Sequence, residues 1–223
     1  MVVFEKDDRI GGLLRYGIPD FKLSKEVIDR RLEQMRAEGV EFQASVTVGE
    51  DVSIRYLRRS FDAILLTMGA GEPRDLKVAG RGLKNVAFAM EFLTRRNRIN
   101  AGDHAGDSAP LTARDKVVAV IGGGDTGSDC VGAAIRQGAR EVHQFEILPK
   151  PPENANPETP WPDWPRILRT STSHEEGCTR HWSTLTKSLA GRGDTVEYLH
   201  GIQVEWSRSE GEGGGMNMSE VPG

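Results

Sequence analysis

Val118-Ala119-Val120-Ile121-Gly122-Gly123-Gly124-Asp125-Thr126-Gly127-Ser128-Asp129-Cys130-Val131 is the stretch whose reading decides the fold. Lys116–Ile121 is rich in β-branched residues and predicts a strand, Gly122–Gly124 a tight turn, and Asp125–Gln137 a helix. Glu141–Ile147 predicts a second strand, so the whole is a βαβ unit, the opening of a parallel sheet. Glycines at 122, 124 and 127 fit the GxGxxG pattern. Alone that pattern is weak; between a strand and a helix it marks a dinucleotide site. Gly122 permits the tight turn, Gly124 lets the backbone approach a pyrophosphate, and Gly127 allows close packing of helix on strand. The helix start adds free N–H groups and a partial positive charge. Gly123, Asp125 and Thr126 complete the candidate phosphate-binding turn.

Which nucleotide enters is set at the end of the second strand, where an acid holds a ribose 2′-hydroxyl and disfavours a 2′-phosphate. Glu146 stands at that spacing, but a strand side chain can point to either face. Arg166 and Arg169 could reach a 2′-phosphate if the proline-dense segment folds back over the ribose. The sequence leaves NADH and NADPH both open.

Composition removes several function classes. The chain has 223 residues, 28% of them charged and 37% hydrophobic, with a net charge of −4. No global basic field recruits nucleic acid or an anionic membrane. The arginine pairs at 30–31, 58–59 and 95–96 fall on predicted helices and read as solvated faces. Two cysteines far apart, Cys130 and Cys178, build neither a disulfide framework nor a self-contained metal or iron–sulfur site. No apolar run approaches the ~20 residues a membrane span needs. A cytoplasmic protein is expected.

Outward from the glycine turn, Val2–Glu5 predicts a buried strand ending in an acid, followed by the Gly11-Gly12 loop. Ser24 is placed to cap a helix from Lys25 to Glu38, with Val27, Ile28, Leu32 and Met35 on one face and Gly39 at its end. Short strands are expected at Val40–Phe42 and Val46–Val48, a brief helix from Ser53, and a strongly apolar strand at Phe61–Thr67. Val86–Asn97 reads as a helix and Asn100–Arg114 as a linker. Residues 149–165 form a proline-dense segment whose Trp161 and Trp164 are expected to lie over something apolar. Thr195–Trp206 alternates like a strand, and 207–215 reads as a flexible glycine-rich stretch.

Several long stretches resemble the small, flavin-containing subunit of glutamate synthase. They include Phe4-Glu5-Lys6, Ile10 through Leu23, Met68 through Arg74, Gly122 through Cys130 and Phe145 through Pro152. Pro160 through Arg166, His174-Glu175-Glu176, Leu185-Thr186-Lys187 and, more weakly, Met218 through Gly223 continue in family order. The resemblance implies oxidation of NAD(P)H, transfer of electrons through FAD and iron–sulfur clusters to a large subunit, and formation of glutamate from glutamine and 2-oxoglutarate. It assigns Glu5 to the FAD ribose, Gly12, Leu13 and Arg15 to the flavin, and Gly69 to a crossover between domains. Gly122, Gly124, Asp125, Thr126 and Gly127 fall to the nicotinamide cofactor's pyrophosphate.

The family's cysteine-rich region, its first FAD glycine motif and its C-terminal flavin-contacting segment have no counterpart here, so the sequence reads as an internal piece of a longer protein. Iron–sulfur clusters are not supported by these residues. The expected fold is α/β with two Rossmann-like dinucleotide-binding domains, an incomplete FAD-binding one at 1–80 and an NAD(P)H-binding one at 81–223. No catalytic residue and no metal ligand is nominated, because hydride transfer between cofactors needs positioning rather than a protein acid or base. His174 with Glu175 and Glu176 reads as a helix start or surface loop, and Cys130 as a small buried side chain. Two competing readings are a nucleotide-binding or subunit-interaction remnant without turnover, and a diaphorase subunit of another multi-subunit flavoenzyme.

Overall fold

The computed structural model describes residues 1–103, 111–154, 159–163, 165–208 and 216–222. The chain forms two compact units: Met1–Asp75 with Leu93–Ser108, and Leu76–Phe92 with Ala109–Gly223.

In the first unit, β1 (Val2–Phe4) leads through the Gly11-Gly12 loop into α1 (Gly12–Tyr16) and α2 (Lys25–Ala37). Strand β2 (Glu41–Gln43) then pairs parallel with β1, Val3 opposite Phe42. Helix α2 buries Ile28 and Leu32, one turn apart, whereas Val27 is exposed. Its expected apolar face is therefore narrower than the sequence suggests. Ser24 stands at the cap through its backbone carbonyl, which accepts from Val27 N–H, and makes no side-chain cap bond. Ser53 does cap α3 (Ile54–Ser60), its hydroxyl accepting from Tyr56 N–H at 3.1 Å. Helix α4 spans Ala89–Asn100, about one turn later than periodicity placed it, and from Leu93 onward belongs to this unit. Asn97 on α4 donates to the carbonyls of Tyr16 and Ile18.

Two expected strands are absent from this unit. Val46–Val48 forms no strand: Val46 N–H donates to Glu5 O at 2.9 Å and Val48 makes an isolated bridge to Val52. Phe61–Thr67 is irregular, and Leu65 and Leu66 are 86% and 67% exposed. A β-prone run becomes a strand only when a neighbouring strand satisfies its backbone N–H and C=O groups. In this run, among the described residues, only Phe61 N–H is bonded, to Leu57 O in the last turn of α3. Phe61 meets Phe4 edge-on at 6.2 Å, so the run is anchored only at its start.

The second unit carries the predicted βαβ element. Strand β3 (Val117–Ile121), α5 (Asp125–Arg136) and β4 (Glu141–Phe145) form it, with β3 and β4 parallel and Val118 opposite Val142. A four-residue helix, α6 (Thr172–Glu175), precedes β5 (Thr179–His181), which extends the parallel sheet in the order β3-β4-β5. Val131 and Ala134 of α5 pack with Ala113 and Val142, and Phe92, Val118 and Val120 close around them. An antiparallel meander follows: β6 (Thr184–Arg192), β7 (Thr195–Arg208) and β8 (Met216–Glu220). Only β7 is anticipated from periodicity, and it runs into the stretch read as flexible. Residues 209–215 of that stretch lie outside the described residues. Trp161 is 92% exposed rather than covering an apolar surface. The segment around it is held by a few backbone bonds such as Leu168 N–H to Pro152 O, which offer the ring nothing to lie on. Trp164 lies outside the described residues.

Candidate dinucleotide site

The glycine turn is built from the backbone outward. Gly122 takes φ +119°, a region closed to residues with a side chain. Its N–H donates to Phe145 O at 2.8 Å, which pins the end of β3 to the end of β4. Gly127 lies in the first turn of α5, where a Cβ would run into the Gly122 carbonyl oxygen and come within 2.9 Å of Gln144 Nε2. Gly124 is the opposite case: a Cβ there would meet no protein atom within 4 Å. Its absence serves approach from outside rather than internal packing.

Ser128 N–H is bonded to the Gly124 carbonyl at 3.0 Å, so the amides of residues 125–127 precede the helix's own ladder. Gly124, Asp125 and Thr126 are solvent-exposed. The turn therefore presents an open, positively polarised helix start, and its residues fit a dinucleotide pyrophosphate.

Glu146 follows β4 and turns toward the turn. Its carboxylate lies in the space a Cβ on Gly123 would fill, and its Oε1 accepts from Leu148 N–H at 3.0 Å. The structure thus brings Gly122, Gly123, Gly124, Asp125, Thr126, Gly127 and Glu146 to one edge of the sheet. Arg180 NH1 donates to Arg169 O, and its guanidinium stacks 4.4 Å over the Trp182 ring.

The remaining candidates lie in the first unit. Glu5 follows β1, and its Oε1 accepts from Asp7 N–H at 3.0 Å. Gly12 and Leu13 open α1, with Leu13 66% exposed. Arg15 is 9% exposed, its guanidinium held by Asp29 and by the Ile10 carbonyl. Gly69 sits on a separate irregular segment at φ +69°. For FAD, these residues supply an acid for the ribose, while the sequence has no second GxGxxG turn for its pyrophosphate. The fit to FAD covers one end of that molecule only.

A cleft of about 780 Å³ in the first unit lies between the residues around Arg9, α2 and Asn97. Several of its charged lining residues are ion-paired, Arg15 with Asp29 and Lys25 with Asp20 inside the wall, Asp8 with Arg98 and Arg9 with Asp103 behind it. Its lining mixes both signs of charge without a glycine turn facing it, so the cleft is a weaker candidate than the turn.

Burial pushes the Cys130 thiol up to about 12, with the Asp129 charge adding to it, so this cysteine stays protonated and unreactive. Among the described residues, no group of His, Cys, Asp and Glu is arranged to hold a metal ion. No helix among them is long and apolar enough to cross a membrane.

Sequence reasoning passes over Gln144, and it reads His174 as a helix start or surface loop; His174 does lie in α6, but its contact with Gln144 is unforeseen. Gln144 is 2% exposed and donates through Nε2 to the Gly122 carbonyl at 2.9 Å; His174 Nε2 meets its Oε1 at 2.8 Å. A signal was present: Gln144 shares the inward face of β4 with Val142, where a polar residue demands a partner.

A family model described as pyridine nucleotide-disulphide oxidoreductase matches residues 21–201. The chain is 50% identical over 207 residues to the glutamate synthase [NADPH] small chain of Mycobacterium tuberculosis, covering 92% of this chain and 42% of that protein. It is 38% identical over 230 residues to the Bacillus subtilis small chain, covering 46% of it. With glutamate synthase [NADH] of Schizosaccharomyces pombe it shares 40% over 218 residues, 10% of that protein. The chain thus spans under half the length of these curated relatives. Among solved structures, Mycobacterium tuberculosis FprA in complex with NADPH superposes with a TM-score of 0.73 at 16% identity. That match covers 99% of this chain and 60% of FprA, and shows a shared α/β fold. The chain belongs to the pyridine nucleotide-disulphide oxidoreductase family.

Proposed function

We propose that this chain is the electron-entry part of a glutamate-synthase-type small subunit, binding NADPH or NADH at the Gly122–Gly127 turn. The observation that carries the reading is the division of labour among the glycines. Gly122 is needed for its backbone conformation and Gly127 for packing against the Gly122 carbonyl, whereas Gly124, with an ordinary φ and open space around it, is needed by neither at an exposed helix start. A turn built only for its own conformation and packing has no use for the third. The names of the relatives support this reaction: the Mycobacterium tuberculosis and Bacillus subtilis proteins are NADPH glutamate synthase small chains.

In this reading the second unit is the nicotinamide-nucleotide domain and the first is part of an FAD-binding domain. The nicotinamide, when bound, supplies a hydride and FAD accepts it, with electrons leaving toward glutamate formation in a large subunit. The chain's residues bind and orient. The turn's amides and the dipole of α5 hold the pyrophosphate, and Glu146 receives the adenosine ribose. Glu5 receives the ribose of FAD, with Gly12, Leu13 and Arg15 beside the flavin and Gly69 at the crossover. The working location is the cytoplasm.

The test is anaerobic titration of the flavin-reconstituted protein with NADPH, followed by the visible spectrum. Bleaching of a stoichiometric flavin absorption is expected. Flavin that stays oxidised although NADPH binds would contradict electron entry through this chain.

A further inference from the structure

The buried polar chain behind the glycine turn has a fixed direction, and that direction ends on the turn. At one end stands the Gly122 carbonyl, which can only accept; Gln144 Nε2 donates to it at 2.9 Å. That places Oε1 of Gln144 toward His174, so His174 Nε2, 2.8 Å away, must carry the proton. At the other end, Ser171 N–H can only donate, and it donates to His174 Nδ1 at 3.1 Å. Both ends demand the same neutral imidazole, protonated on Nε2. Ser171 Oγ meets Ser128 Oγ of α5 at 2.5 Å, tying the cap of α6 to the helix that opens at the turn. Gln144 and Ser128 are 2% and 4% exposed, so a broken link here leaves groups that water does not readily satisfy.

The consequence falls on one peptide plane. In a trans peptide the C=O and the following N–H point in opposite directions. Holding the Gly122 carbonyl inward on Gln144 turns the Gly123 N–H away from the sheet, toward the exposed side of the turn. We propose that His174 is a positioning residue of the dinucleotide site: through Gln144 it fixes the Gly122–Gly123 peptide so that the Gly123 N–H faces the bound pyrophosphate. This rests on the dinucleotide reading above.

The test separates the two bonds that His174 makes, using the full chain and ADP-ribose, which presents the pyrophosphate without nicotinamide or 2′-phosphate. His174→Asn keeps an acceptor near the Ser171 amide but is too short to reach Gln144. His174→Gln keeps a donor at the position of Nε2. The Asn variant is expected to bind about tenfold more weakly by calorimetry, as loss of one buried hydrogen bond implies, and the Gln variant to recover most of that loss. In a Gln144→Leu background the Asn substitution should add almost nothing, because the link is already cut.

Equal binding by His174→Asn and the unsubstituted chain would overturn the proposal, as would additive effects with Gln144→Leu. A spectroscopic reading needs no variant: long-range ¹⁵N–¹H correlations on the unsubstituted protein should place the His174 proton on Nε2. A proton on Nδ1 would overturn the proposal even if every variant failed to fold. No binding of ADP-ribose by the unsubstituted chain would overturn the dinucleotide reading and this inference together; binding that ignores position 174 would overturn this inference alone.

Discussion

Two apolar runs of this chain, Val117–Ile121 and Phe61–Thr67, both read as strands and have different fates. The first is strand β3, paired along its full length with β4 and covered by Val131 and Ala134 of α5. The second is irregular, with Leu65 and Leu66 turned to water. The first run is richer in β-branched residues, and the larger difference lies in neighbours. β3 finds its partner strand about 20 residues on, across a single helix, as a βαβ crossover requires. Phe61–Thr67 has no strand beside it among the described residues, and β-propensity without a ladder leaves the backbone in solvent. The site follows the same division: the glycine turn at the end of the paired strand is formed, while the first unit's candidates are distributed over β1, α1 and an irregular segment.

Leucines with opposite surroundings give the largest contrast. Leu93 is 1% exposed in α4 and Leu65 is 86% exposed in the unpaired run, both in the first unit. Leu93→Ala should cost ~2–5 kcal/mol in chemical denaturation. A smaller loss would show that this unit is loosely packed throughout.

Next in size is the turn. Gly127→Ala forces a Cβ against the Gly122 carbonyl and should cost ~1–3 kcal/mol by denaturation. Gly124→Ala meets no protein atom and should leave the melting temperature near that of the parent while abolishing measurable dinucleotide binding. Equal behaviour of the two variants would remove the distinction between packing and binding glycines.

Glu146→Ser should raise affinity for NADPH relative to NADH, by roughly tenfold (~1.4 kcal/mol), since a carboxylate beside Gly123 repels a 2′-phosphate. Competition calorimetry reads the ratio. An unchanged ratio would place the ribose elsewhere.

A smaller effect concerns acid. The hydrogen bond from Arg98 holds the Asp8 carboxyl down to about 2, helped by the Tyr16 hydroxyl. Because the folded value lies below the ordinary 3.8, this stabilisation is present above pH ~4 and is lost as pH falls toward 2. Asp8 and Arg98 are both more than a third exposed, so solvent screens the pair and the loss is modest. Arg98→Ala should flatten that part of the acid-unfolding curve. Smallest of all, Leu65→Ser should change stability by no more than ~0.5 kcal/mol.

What was legible in the sequence tracks the range of the interactions. The βαβ unit, its turn and the Ser53 cap depend on residues near one another in the chain, and the patterns around Val118–Val131 place them within a residue or two. Strands β5, β6 and β8 were not anticipated, because their short or weakly patterned sequences become strands through partners supplied by β4 and β7. The same reason hid His174: it lies 30 residues from Gln144, and only the sheet brings the imidazole behind the turn. Periodicity marks which face a residue occupies, not which distant side chain will meet it there.

Calorimetric titration of the 223-residue chain with NADPH, repeated with Gly124→Ala, tests the central claim most directly. Saturable one-to-one binding by the chain, lost in a variant that melts normally, is the expected result. Absence of binding by the folded chain, or binding untouched by Gly124→Ala, would contradict the assignment of the Gly122–Gly127 turn as the nicotinamide-dinucleotide site.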